Sequence, residues 1–382
     1  MISITRLLCD AAGPGDHLRY EKKDVTRPVV VWNCTRQCNL HCMHCYATAT
    51  TSKAAGEMST AQGKAFIDDL VKFGVPVILF SGGEPLMRED LFELANYAKQ
   101  QGLRVALSTN GTVINQETAN KLAQVGFAEI GISLDGIGEK NDRFRGKDGA
   151  FDAALDGIRH CVALKLRVSL RLTMTGYNYR EIPAILQLTE DEKIDRVCLY
   201  HLAYSGRGGK LREQDITHPQ TRWAIDTICE RTLDMYRRGL RKEILTVGNH
   251  ADGIYLYIKA KEKDPARAAK IMELINVNGG NNSGIKISCV DDRGNVHPDQ
   301  FWWHYSLGNV LQRNFSEIWM DTAEPLLVSL RDRKKKLKGR CARCSFINQC
   351  NGNLRVRAEA AYGDVWAEDP ACYLTEEEIQ CR

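Results

Sequence analysis

Between residues 29 and 205 a short run of apolar, β-branched residues alternates six times with an amphipathic stretch, and few architectures accommodate that rhythm. The expected strands are Val29–Asn33, Val77–Gly82, Arg104–Asn110, Glu129–Asp135, Val168–Thr175 and Arg196–Tyr204. The expected helices between them are Ser59–Phe73, Glu89–Gln101, Gln116–Val125, Ala150–Leu164 and Tyr179–Asp191. Ser59-Thr60-Ala61-Gln62 reads as a capping box that opens the first of these. Repeated βα units make a parallel sheet covered by helices, so the fold class is α/β. Six units fall short of the eight that close a barrel, which predicts an open, partial (βα)6 TIM-type barrel. Chemistry in such barrels sits where the strands end. Polar clusters fall at those ends: Cys38–Cys45, Gly82–Pro85, Ser108–Gly111, Ser133–Gly136 and Ser205–Gly209.

The rest of the chain divides around this core. Residues 1–28 form an N-terminal extension, 29–210 the barrel, 211–284 a helical connection, and 285–382 a smaller domain. A hairpin signal at Val290-Asp291-Asp292-Arg293-Gly294-Asn295-Val296 opens the last of these. A net charge of +4 on 382 residues gives no reason to expect nucleic acid. No run of eighteen apolar residues is present, so no transmembrane span is expected. Met1-Ile2-Ser3-Ile4-Thr5-Arg6 lacks the regions of a signal peptide, and a cytoplasmic location follows.

Fourteen cysteines gather near the two ends in tight spacings, which favours metal ligation over a secreted disulfide framework. Cys38, Cys42 and Cys45 are separated by three and two residues. Three thiolates can hold an iron–sulfur cube and leave its fourth iron open. Zinc is the alternative, with His41 or His44 supplying a fourth ligand. Cys341, Cys344, Cys350 and Cys372 could close either a zinc site or a full cube. Cys9, Cys34, Cys161, Cys198, Cys229 and Cys381 read as buried hydrophobes or free thiols, and Cys289 as a leftover.

Cys38, Cys42 and Cys45 followed by Tyr46 resemble the signature of radical S-adenosylmethionine (SAM) enzymes. Ser81-Gly82-Gly83-Glu84-Pro85 is similar to that family's methionine-binding turn, with Glu84 expected near the cofactor amine. The resemblance implies a 4Fe-4S cluster and SAM, held by Tyr46, Gly82, Gly83, Glu84, Asn110, Ser133, Asp135 and Arg171. Arg171, on the fifth strand, would pair with the SAM carboxylate, and Arg145 is its rival. The second cysteine set resembles a SPASM or twitch domain, implying an auxiliary 4Fe-4S cluster on Cys341, Cys344, Cys350 and Cys372. Leu354 and Asp299 stand where a full SPASM pattern has cysteines, which points to one auxiliary cluster.

Tyr200–Gly208, Asn249–Asp252, His297–Tyr305, Arg355–Ala358 and Gly363–Tyr373 narrow the resemblance to radical SAM enzymes of siroheme-dependent haem and haem d1 biosynthesis. That group implies a tetrapyrrole substrate, didecarboxysiroheme. Removal of its acetate groups gives iron-coproporphyrin III; the alternative is propionate removal with oxo-group formation. Gly13–Tyr20 points to the acetate branch. A flat polycarboxylate calls for aromatic faces and guanidinium groups, and Arg207, Trp302, Trp303, Arg355 and Arg357 offer them. His201, His250, His297 and His304 are candidate iron ligands or proton donors. The implied partners are this substrate and an unidentified electron donor. Two rivals remain: peptide modification by a radical SAM enzyme, and a zinc-stabilised binding protein.

Overall fold

A computed structural model describes residues 1–21 and 27–380, so residues 22–26 of the N-terminal extension and Cys381 lie outside the described residues. The β-branched runs form strands where the alternation predicts them. Eleven strands are present among the described residues: β1 Ile2–Ser3, β2 Val29–Asn33, β3 Val77–Ser81, β4 Arg104–Thr109, β5 Ile130–Ser133, β6 Val168–Met174, β7 Arg196–His201, β8 Glu243–Val247, β9 Ile287–Val290, β10 Asn295–His297 and β11 Gly308–Asn309. They form one sheet in the order β1-β8-β7-β6-β5-β4-β3-β2-β9-β10-β11. Strands β2 to β8 run parallel in chain order, with registers such as Val30↔Ile78 and Leu170↔Val197. The sheet ends in free edges, as an open barrel requires.

Helices Thr60–Phe73, Leu91–Gln100, Gln116–Val125, Ala150–Ala163 and Ile182–Asp191 cover its outer face. The first carries the expected capping box between Ser59 and Gln62. Strand alternation sorts the two faces. Val30, Trp32, Ile78 and Phe80 are fully buried beneath the helices, where Trp32 meets Phe66 and Phe80 at 5.5 and 5.6 Å. Their neighbours Val31, Leu79 and Ser81 face the barrel interior instead.

Three features depart from the sequence expectation. The stretch 211–284, read as helical, also contains strand β8, which pairs in parallel with β7 through Val197↔Ile244. Glu243-Ile244-Leu245-Thr246-Val247 is brief and follows the 20-residue helix His218–Arg237, so its short apolar run carries little periodic signal. Ile2–Ser3 precedes the first expected strand and pairs antiparallel with β8. The hairpin β9–β10 forms as expected, yet β9 joins β2 in parallel, so the region after 285 extends the barrel sheet.

A charged layer closes the interior below the site. Arg196 donates to Glu243 at 2.8 Å and pairs with Glu129, while Arg167 donates to Glu243 at 2.7 Å. These pairs tie β8 to its neighbours, because buried charges must be matched.

Candidate active site

The loop after β2 brings Cys38, Cys42 and Cys45 to one cavity, joined there by Gly82, Gly83, Ser108, Thr109, Asn110, Ser133 and Arg207. Each sulfur accepts an N–H: Cys38 from Leu40 at 3.4 Å, Cys42 from Arg145 at 3.7 Å, and Cys45 from Ala49 at 3.5 Å. Asn110 Nδ2 also lies 3.9 Å from Cys38 Sγ. In the protein alone, burial pushes the Cys38 thiol up to about 12 and raises that of Cys42. A bound iron cluster reverses this logic, since a coordinating thiol is deprotonated outright. Three cysteine sulfurs with N–H donors around one cavity therefore fit a 4Fe-4S cluster. Among the described residues no three His, Cys, Asp or Glu side chains converge closely enough to hold one metal ion. Cube thiolates bind different irons and need no such convergence.

The glycine pair after β3 is dictated by the cysteine loop. Gly82 has φ 141°, and a Cβ there would collide with the Thr35 carbonyl. A Cβ on Gly83 would meet the carbonyls of Arg36 and Gln37. The backbone bonds Gly83 N to Thr35 O and Glu84 N to Gln37 O, both 2.7 Å, lock the two loops together.

Glu84 is buried and bonded on several sides. Its carboxylate accepts from Thr109 Oγ1 and Asn110 N at 2.7 Å and from Leu86 N at 3.1 Å. Those bonds staple the turn after β3 to the turn after β4, and Glu84 is not among the cavity's lining residues. Asp135, also buried, accepts from Thr173 N at 2.7 Å and pairs with Arg145 at 2.6 Å. Arg145, the rival of Arg171, sits at the end of the short helix Glu139–Arg145 and lines the cavity beside Cys42. The signal for it was there, in the Gly146 that caps this helix in a left-handed conformation.

A second, inner cavity of about 140 Å³ adjoins the first and shares His44, Tyr46, Ser81, Ser108, Ser133 and Arg145 with it. Tyr46 donates to Asn33 at 3.1 Å and crosses Phe301 edge to face at 5.4 Å. Arg171 lines this inner cavity, away from the cysteines, with its Nε unpartnered and its guanidinium 3.7 Å from Glu129. Burial pushes His44 down to about 4, against the nearby Asp135, so its imidazole is neutral at neutral pH. His44 entered the sequence reading only as a zinc ligand; Gln300 and Phe301, also lining the inner cavity, carried no signal of their own.

The substrate residues divide sharply. Trp302 is buried with Ala203, Leu330, Leu354 and Val356, so it is core. Arg357 is fully buried, bonded to Asp369 at 2.7 and 2.8 Å and to Leu202 O and Gly248 O. Arg355, also buried, donates to the carbonyls of Gly352, Val365 and Ala367. Both guanidiniums are fully buried, out of a substrate's reach. Arg207 clamps the cysteine loop through Cys42 O at 2.8 Å and Ala49 O at 3.1 Å, keeping one nitrogen unpartnered. Trp303 alone of the five lines an open cavity of about 520 Å³, beside Arg36, Tyr46, Tyr204 and His304.

Of the histidines, His201 lines the inner cavity with Nε2 3.0 Å from Asp252, whose other oxygen accepts from Tyr373. His250 lies beside the Met1 amine and His297 beside Tyr305 O, both buried. His304 is exposed, 2.8 Å from Glu359. Far along the chain, Cys341, Cys344, Cys350 and Cys372 line one small cavity with Asp369 and Arg340, which fits an auxiliary cluster. Cys289 stays apart, accepting from Asn33 at 3.1 Å.

Residues 32–189 match the radical SAM superfamily. The chain is 53% identical to Fe-coproporphyrin III synthase of Methanosarcina barkeri, covering 99% of both chains. It is 45% identical to pre-heme d1 synthase of Dinoroseobacter shibae, over 91% of this chain and 87% of that one. Identity to an AdoMet-dependent heme synthase of M. barkeri is 33%, over 90% and 95%. The fold matches SuiB of Streptococcus suis, solved with S-adenosylmethionine, with a TM-score of 0.73 at 17% identity, covering 91% of this chain and 78% of that one. It also matches anSMEcpe, solved with AdoMet and a peptide, with a TM-score of 0.68 at 18% identity over 91% and 94%. With residues 32–189 matching that family and 53% identity to one relative over 99% of both chains, the chain belongs to the radical SAM superfamily.

Proposed function

We propose that this enzyme acts on didecarboxysiroheme and removes its acetate side chains to give iron-coproporphyrin III. The observation that carries this reading is the 53% identity, over 99% of both chains, to an Fe-coproporphyrin III synthase. When bound, the cluster and SAM would supply the radical chemistry needed to cleave a carbon–carbon bond of a substrate side chain.

The chain's own residues position and enclose that chemistry. Cys38, Cys42 and Cys45 hold the cluster, and the N–H groups of Leu40, Arg145 and Ala49 stabilise their thiolates. Gly82 and Gly83 let the second turn press against the cysteine loop, while Glu84 braces that turn. Asn110, Ser133 and Arg145 face the cofactor cavity; Asp135 holds Arg145 in place. Tyr46 and Phe301 wall the inner cavity against water. Cys341, Cys344, Cys350 and Cys372 would hold the auxiliary cluster, which would supply a one-electron centre there. The location is cytoplasmic; among the described residues no helix is long and apolar enough to cross a membrane.

The test is anaerobic incubation of reconstituted protein with didecarboxysiroheme, SAM and a reductant, followed by mass spectrometry. Acetate loss is expected. Propionate loss would move the enzyme to the haem d1 branch represented by the 45% relative, and an unchanged substrate would refute both.

A further inference from the structure

We propose that the outer cavity beside Trp303 is the docking platform for the macrocycle of an iron tetrapyrrole polycarboxylate, a placement that rests on the function proposed above. The inner cavity, at about 140 Å³, has room for a carboxyalkyl arm and no more than that. The outer cavity, at about 520 Å³, lies within the range of roughly 300–1,000 Å³ typical of small-molecule sites. Tyr46 borders both, and it also borders the cavity of the three cysteines. A ring seated outside could therefore send one side chain past Tyr46 toward the radical source.

The lining suits such an occupant. Tyr46, Tyr204 and Trp303 supply an aromatic wall. Trp303 is held in place by its Nε1–H to Gln300 O at 2.9 Å and by stacking on His297 at 5.9 Å, so little order is lost on binding. The Arg36 guanidinium lies 5.6 Å from the Trp303 ring centre, and its buried Nε has no partner. The same guanidinium donates to Thr48 O at 3.1 Å, which fixes a cation beside an aromatic face, as a flat carboxylate-edged ring needs. His304, exposed and oriented by Glu359, stands at the rim.

Ferric coproporphyrin III is the probe, titrated by absorbance into the anaerobic holoenzyme. Trp303→Leu and Arg36→Ala should each weaken binding by about tenfold, while Trp303→Phe stays within about threefold of the unaltered protein. In all three, addition of SAM should still change the paramagnetic signal of the N-terminal cluster. Undiminished porphyrin binding by both Trp303→Leu and Arg36→Ala would overturn the placement and leave the function standing. So would loss of the SAM response alongside porphyrin binding in both, since that reports a collapsed cysteine loop. Absence of porphyrin binding by the unaltered protein would instead refute the tetrapyrrole reading itself.

Discussion

Replacement of Gly83 by alanine isolates the contact on which the cofactor site depends. The new Cβ would lie 2.7 Å from Arg36 O and closer still to Gln37 O, whereas ordinary contact begins at 3.4 Å. Both obstacles are backbone, so no side-chain rotation relieves them. The cysteine loop must retreat by about 1 Å, and a misplacement of that size costs about a hundredfold in rate. The retreat also strains the bond from Glu84 N to Gln37 O, one residue before Cys38. We expect 5′-deoxyadenosine formation to fall by about a hundredfold in Gly83→Ala, with a weakened response of the N-terminal cluster signal to SAM. The auxiliary cluster, built on a distant part of the chain, should keep its iron and sulfide. Cofactor cleavage within about threefold of the unaltered enzyme would refute the reasoning, because the loop would then absorb an overlap that its packing forbids.

Other consequences can be checked separately. Cys372→Ala should lower product formation more than SAM cleavage; an equal fall in the two rates would exclude an electron-carrying role for the auxiliary cluster. Arg357→Leu strands the buried Asp369 carboxylate and should cost about 3–5 kcal/mol in urea unfolding, while Arg357→Leu with Asp369→Leu should recover much of it. A single-variant loss below about 1 kcal/mol, as for an exposed pair, would contradict the burial argument. Burial alone pushes the Asp369 carboxyl up, but Arg357 outweighs it and holds the group below its ordinary 3.8. A depressed carboxyl contributes stability that is fully present above 3.8 and lost as pH falls through the lower folded value. Urea unfolding free energies should therefore separate the unaltered protein from Asp369→Asn at neutral pH and converge below that value.

Legibility in the sequence followed the range of the interactions. Helix Gln116–Val125 and strand Val29–Asn33 match their expected limits because local periodicity and caps set them. The hairpin at Val290–Val296 was equally local. By contrast, Glu243–Val247 becomes a strand through pairing with β7 and β1, and Arg196 and Arg167 match the charge of Glu243 from distant parts of the chain. Trp302 and Trp303 are adjacent in sequence, yet one is core and the other faces a cavity, a split that composition cannot make.

The spacing of Cys38, Cys42 and Cys45 and the order of βα units were fixed by neighbours a few residues apart, so the chain alone determined the kind of chemistry and the kind of barrel. Which charges remain available for a ligand was decided in three dimensions. Arg355 and Arg357 were spent on carbonyls and on Asp369, and Arg145 was turned to the cysteines by Asp135. A guanidinium must be satisfied wherever it is buried, and the partners that satisfy it come from segments that meet only after folding.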